Sequence, residues 1–140
     1  MTALNGQCLC GAVRFSAVPK AGASVCHCAM CRKWTGGINI AVDLAEAPVF
    51  KDDARLGVYR SSEWAERLFC SECGSSLLYR TVDGAHHVAS AGCFEDPSQF
   101  PLESEIFIDE KPSSYDLAGE HPRMTGPEFM AMVAPEQEAE

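Results

Sequence analysis

The chain has 140 residues, 46% of them hydrophobic and 22% charged, a length and balance that suit one globular domain with a substantial core. Its 20 acidic against 11 basic residues give a formal charge of −9, which argues against a broad electrostatic grip on a nucleic-acid backbone. No apolar run approaches the ~18 residues of a membrane span, and the opening MTALNGQCLCG has neither the basic segment nor the apolar core of a secretory signal. A soluble cytoplasmic protein with no nucleic-acid or membrane partner is therefore expected.

In chain order, the first element is CLCGAVRFSAV, whose alternation places Val13 and Phe15 on one face and Ala12 and Arg14 on the other. A short helical turn is expected from Cys28 to Trp34, broken by Gly36-Gly37. Further short strands are expected in INIAVDL, RLGVYRS, ERLFC, SLLYRTV, HHVASAG and SEIFID, each bounded by Gly, Ser, Asp or Pro. No repeat of solenoid period interrupts this pattern. The fold class is mainly β, with short antiparallel sheets and little helix. Past residue 124, Thr125 and Glu128 have the spacing of a capping box for a short helix through EFMAMV, followed by a solvated acidic tail, PEQEAE. The chain thus divides into one β domain over 1–124, which holds all eight cysteines, and a short helix and tail over 125–140.

Eight cysteines dominate the sequence. Without a sign of an oxidising compartment, their spacing reads as metal ligation rather than a disulfide framework. Cys8-x-Cys10, read as a strand, projects two sulfurs from one face. Cys70-x-x-Cys73 folds the chain under an ion, with Gly74 at the sharp turn. Together these four thiolates form a closed, structural zinc site. Cys26 and Cys28 share a face of an extended segment, and a turn through Ala29-Met30 returns Cys31 to the same ion, giving three protein donors and an open position, the pattern of catalytic zinc. Cys93, His27, Glu95 and an exogenous water or thiolate are the candidate fourth donors. His27 points to the opposite face, Cys93 can equally be a small buried apolar residue, and the exogenous donor is the favoured reading. Two zinc ions per chain follow.

GQCLCGAVRF (6–15), CHCAMCRKWTGG (26–37) and FCSECGSSLLY (69–79), in that order, resemble the glutathione-dependent formaldehyde-activating enzyme family, which also has a centromere-associated branch. The resemblance continues more weakly through SAGCFEDP to IFIDEKPSSYD and covers residues 5–117. It implies a β-tent fold, a structural zinc on Cys8, Cys10, Cys70 and Cys73, and a catalytic zinc on Cys26, Cys28 and Cys31. It also implies a carbon-sulfur lyase of the S-(hydroxymethyl)glutathione synthase type, with glutathione or a similar small thiol and formaldehyde as substrates. Cys93 and Glu105 stand where many members carry a hydroxyl residue and a His, which leaves the true thiol and electrophile open.

Arg32 and Lys33 offer positive charge for a substrate carboxylate or a developing alkoxide, and Trp34 a pocket wall. Their ordinary alternatives are solvated surface cations and a core aromatic. His86 and His87 read as strand residues rather than acid-base catalysts. Two further readings compete with the enzyme: a non-catalytic zinc-stabilised binding module, and an iron-sulfur protein, since thiolates at these spacings can hold a cluster.

Overall fold

The structure, a computed structural model, describes residues 2–139. It contains two compact units, one built from the chain up to Ala23 together with Ile40–Pro101, the other from Ser24–Asn39 together with the chain from Leu102 onward. The architecture is mainly β, with eleven strands and two α-helices among the described residues.

In the first unit, β1 (Leu4–Gln7) pairs antiparallel with β2 (Arg14–Ala17), and β2 with β5 (Val49–Asp52). A meander follows in the order β4 (Asn39–Leu44), β9 (His87–Ser90), β8 (Ser76–Thr81), β7 (Ala65–Cys70) and β6 (Leu56–Arg60), every neighbouring pair antiparallel. The inward positions carry the core. Val13, Phe15, Val42, Leu68, Leu77, Leu78 and Ala89 are buried; Val13 and Phe15 alternate onto one face, whereas the consecutive Leu77 and Leu78 show that β8 is covered on both faces there. Phe15 packs between Phe50 and Phe94, with ring centroids 5.8 and 6.0 Å away, and Phe94 meets Phe100 at 5.3 Å.

Gly6 in β1 lies opposite Phe15, and a Cβ there would stand 2.5 Å from the Phe15 ring tip. With that ring held by Phe50 and Phe94, it has nowhere to retreat. Gly6→Ala should therefore destabilise the protein by about 1–3 kcal/mol, the usual cost of overpacking, read as a lower denaturant midpoint with an unchanged slope.

The second unit holds the end of β3 (Pro19–Cys26), α1 (Ala29–Thr35), β10 (Leu102–Ile106), β11 (Arg123–Met124) and α2 (Gly126–Ala139). β11 runs parallel to β10, setting Arg123 beside Glu105. α1 ends at Gly36, where the sequence breaks it. The capping box forms: Glu128 N–H donates to Thr125 Oγ1 at 3.2 Å, and Thr125 N–H to Glu128 Oε1 at 2.9 Å. The helix continues past EFMAMV to Ala139, and Glu140, the last residue of the acidic tail, lies outside the described residues.

Candidate metal centres

Cys8, Cys10, Cys70 and Cys73 bring four sulfur atoms within 4.8 Å of one another. The first pair reaches this arrangement differently from the strand reading: Cys8 and Cys10 lie on a turn after β1, not on one face of a strand. The turn is closed by Gly11 N–H donating to Cys8 O at 3.2 Å, and Val13 N–H donates to Cys8 Sγ at 3.3 Å. The second pair repeats the device. Gly74 N–H donates to Cys70 O at 2.8 Å and Cys73 N–H to Cys70 Sγ at 3.4 Å, with Gly74 at φ +81°. Only glycine adopts that conformation cheaply. A turn folds its backbone amides around the sulfurs, which an extended strand cannot do.

The sulfurs of Cys8 and Cys10 are 3.6 Å apart and those of Cys10 and Cys70 3.8 Å. Those separations are far from the ~2.0 Å of a disulfide and match the edge, about 3.8 Å, of a tetrahedron whose metal–sulfur bonds are about 2.3 Å. The donor set therefore fits a tetrahedral thiolate-bound ion. Its protonation is uneven. Ser75 holds the Cys73 thiol down to about 5 through its hydroxyl and its backbone amide. Cys10 is pushed up to about 12: the Ala12 amide lowers it, but desolvation and the neighbouring sulfurs outweigh that pull. Four crowded thiols cannot all ionise without a cation among them.

Cys26, Cys28 and Cys31 form the second donor set, again with sulfurs within 4.8 Å. Cys26 ends β3. Cys28 is the N-cap of α1, extended at φ −64°, ψ 154°, and its sulfur accepts from Cys31 N–H at 3.4 Å. Cys31 is buried in the first turn of the helix. The Cys28 and Cys31 sulfurs drive the Cys26 thiol well above its ordinary range. Among the described residues no fourth His, Cys, Asp or Glu joins this set. Cys93 belongs to neither group: its thiol faces the Ser76 and Leu77 carbonyls, each at 3.9 Å, and burial pushes it up to about 12. Glu95 is exposed and also outside both groups.

His27, between two of these cysteines, turns its ring away from them into a buried polar network. His27 Nε2 lies 2.8 Å from Glu105 Oε1, while His121 Nε2 and Arg123 Nε reach Glu105 Oε2 at 2.6 and 2.9 Å. Burial opposes the charge on Glu105, but the bonds from His121, His27 and Arg123 prevail and hold its carboxyl below the usual range. An ionised carboxylate only accepts, so His27 Nε2–H donates to it. The other ring nitrogen, Nδ1, is hydrogen-bonded to the Tyr115 hydroxyl at 3.0 Å, so both nitrogens of the ring are engaged.

A cleft of about 310 Å³ opens on this unit, lined by Arg32, Lys33, Gly36, Gly37, Ile38, Pro112 and Tyr115. Arg32 and Lys33 are thus at the cleft, although Arg32 Nε donates to His27 O at 2.9 Å. Trp34 is half-buried and not among the lining residues. The three cysteines sit on the N-terminal side of α1, and the cleft on its C-terminal side. His86 is exposed, and His87 Nε2 donates to Gly84 O at 3.1 Å. Tyr115, His121 and Arg123 escaped the sequence reading because only the β10–β11 pairing and the 111–116 loop bring them to His27 and Glu105. Glu105 alone carried a signal, as a departure from the related family's pattern.

No helix among the described residues is long and apolar enough to cross a membrane. The sequence matches the profile of the glutathione-dependent formaldehyde-activating enzyme family over residues 3–110. It is 31% identical to an uncharacterized lyase of Schizosaccharomyces pombe, over 95% of this chain and 98% of the relative. A Halomonas elongata protein, named provisionally as a glutathione-dependent formaldehyde-activating enzyme, is 32% identical over 81% of this chain and 80% of its own length. The crystal structure of a Rhodobacter sphaeroides protein shares the fold, with a TM-score of 0.59 at 22% identity, covering 85% of this chain and 98% of that one. With the profile matched across both cysteine sets, and relatives aligned along most of their length, the chain belongs to the glutathione-dependent formaldehyde-activating enzyme family.

Proposed function

We propose that the chain is a zinc-dependent carbon-sulfur lyase-type enzyme that adds the thiol of glutathione, or of a similar small thiol, to formaldehyde or a related small electrophile. The observation that carries this reading is the three-cysteine set, which has no fourth protein donor among the described residues and whose Cys31 lies on the same short helix as Arg32 and Lys33 of the cleft. Cys8, Cys10, Cys70 and Cys73 hold one zinc as a structural rivet, and Cys26, Cys28 and Cys31 hold a second. Bound there, zinc would supply stabilisation of a substrate thiolate at neutral pH.

In the forward reaction the sulfur lone pair forms a bond to the carbonyl carbon. The π pair moves to oxygen, and the proton lost by the thiol is balanced by the one that oxygen gains, so no oxidant is needed. Arg32 and Lys33 hold a substrate carboxylate, fixing the thiol relative to the site. A bimolecular encounter then becomes an oriented one, the principal source of acceleration for so simple an addition.

Glutathione and formaldehyde also combine without a catalyst, so the test measures exchange at equilibrium. Two-dimensional exchange NMR between free and thiol-bound formaldehyde should show a rate proportional to the concentration of zinc-loaded protein. An exchange rate unmoved by the protein would favour the non-catalytic binding module. Cobalt-substituted protein offers a second check: glutathione should alter the ligand-field bands if its sulfur enters the coordination sphere. A colourless protein carrying two zinc per chain would dispose of the iron-sulfur reading.

A further inference from the structure

Arg32 lines the cleft, yet its side chain also reaches back along the chain toward the cysteines. Its Nε donates to His27 O at 2.9 Å, while its own backbone amide donates to Cys28 O at 3.0 Å. One residue therefore holds two consecutive carbonyls: that of the residue between two sulfur donors, and that of a donor itself. Among the described residues no carboxylate pairs with Arg32. The His27 carbonyl thus receives its bond from an uncompensated cation, and charge-assisted bonds are the stronger kind.

His27 is gripped from its other sides as well. Its N–H donates to Ile106 O at 3.1 Å, and its ring nitrogens engage Glu105 at 2.8 Å and Tyr115 at 3.0 Å. Of these four anchors, only Arg32 belongs to α1, the helix that carries Cys31. Its bond ties the end of β3, with Cys26, and the N-cap, Cys28, to that helix, and so sets two sulfurs relative to the third. A backbone residue free to rotate between Cys26 and Cys28 would have to be ordered when an ion binds, and that entropy would be subtracted from the affinity.

We propose that Arg32 is a positioning residue for the three-cysteine site: through the His27 carbonyl it fixes the Cys26–Cys28 segment against α1 and so raises the affinity of the metal held there. The bond uses only Nε, so the Nη groups are not consumed by it. Lys33 lines the same cleft but is exposed and has no bond to the Cys26–Cys28 segment among the described residues, which gives the two neighbouring cations different duties.

The test loads the full chain with cadmium-113, whose NMR gives a separate resonance for each thiolate set, and measures each affinity by competition with a chelator. Arg32→Lys keeps the charge but exchanges a fixed planar fork for a flexible ammonium. It should weaken the ion on Cys26, Cys28 and Cys31 about tenfold, the lower end of what losing a ligand-orienting group costs, and shift that resonance alone. Lys33→Gln removes a cation without touching His27 and should leave both resonances and both affinities in place. An unchanged affinity in Arg32→Lys would overturn the proposal. So would equal weakening by Lys33→Gln, since charge near the thiolates and not position would then be the cause, and so would loss of both resonances in Arg32→Lys, which would make Arg32 a support of the whole fold. The proposal rests on the reading above that the three cysteines hold a metal, but no thiol substrate or aldehyde enters these measurements. A single resonance from the wild type contradicts that metal assignment; two resonances with Arg32→Lys unchanged contradict only the role of Arg32, and unaccelerated formaldehyde exchange contradicts only the reaction.

Discussion

Cys73→Ser will cost the protein its fold, whereas Cys28→Ser will cost it only its chemistry. In the first set the four sulfurs come from the Cys8–Cys10 turn and from the knuckle at Cys70–Gly74, 60 positions away along the chain between Cys10 and Cys70. A metal there closes a long loop and holds two turns whose own bonds are few. Structural zinc contributes about 10–16 kcal/mol of apparent binding energy in small zinc domains, comparable to the whole net stability of a domain, about 5–15 kcal/mol. Replacing one thiolate with a hydroxyl forfeits enough of it to leave the first unit unfolded or aggregated. Cys26, Cys28 and Cys31 span only six positions and are already held by β3, the Cys28 cap and α1, so their metal adds little to chain closure. Circular dichroism, zinc content and formaldehyde exchange, measured together, separate the two variants. Equal loss of folded protein in both would remove the distinction between a structural and a reactive site.

The second large effect is expected at Glu105. Its carboxylate is buried and receives three nitrogen donors, one of them the permanently charged Arg123. Glu105→Gln leaves that guanidinium and two imidazoles facing a neutral amide that cannot accept from all of them. Breaking a buried, hydrogen-bonded charge set of this kind costs about 3–5 kcal/mol, measurable by denaturant unfolding of zinc-loaded protein. The pH dependence has a definite sign. The folded-state carboxyl lies below the ordinary value of 4.5, so its stabilisation is fully present above that value and is lost as pH falls through the lower, folded one. The gap between wild type and variant should be widest near neutrality and narrow below pH 4.5. Acid also protonates the cysteine ligands, but it does so in both proteins, and the difference between them isolates Glu105. A gap that persists unchanged at pH 3 would show that the loss is one of packing rather than charge.

The local pattern of side chains was enough for much of this molecule. Alternation identified β2 and most of the meander, since residues two apart share a face and bury together. The Gly36-Gly37 break and the Thr125–Glu128 box marked helix ends through interactions only three or four residues long. Both cysteine groupings followed from spacing and donor chemistry. What spacing could not supply was the backbone: Cys8 and Cys10 sit on a turn, because amide donation to sulfur wins over strand alternation there. β1, β3 and β5 lack large alternating apolar residues and exist because partners pair with them.

By itself, then, the sequence determined the mainly β class and the two sets of thiols, since periodicity and ligand spacing are short-range properties of the chain. Alternation already turned His27 away from the cysteines, but only the tertiary structure decided that its ring meets Glu105 and Tyr115, and that Tyr115 shares a cleft with Arg32 and Lys33. Those partners lie between 78 and 88 positions from His27 where the bonds are direct, and a buried charge finds its counterpart through folding, which no local pattern encodes.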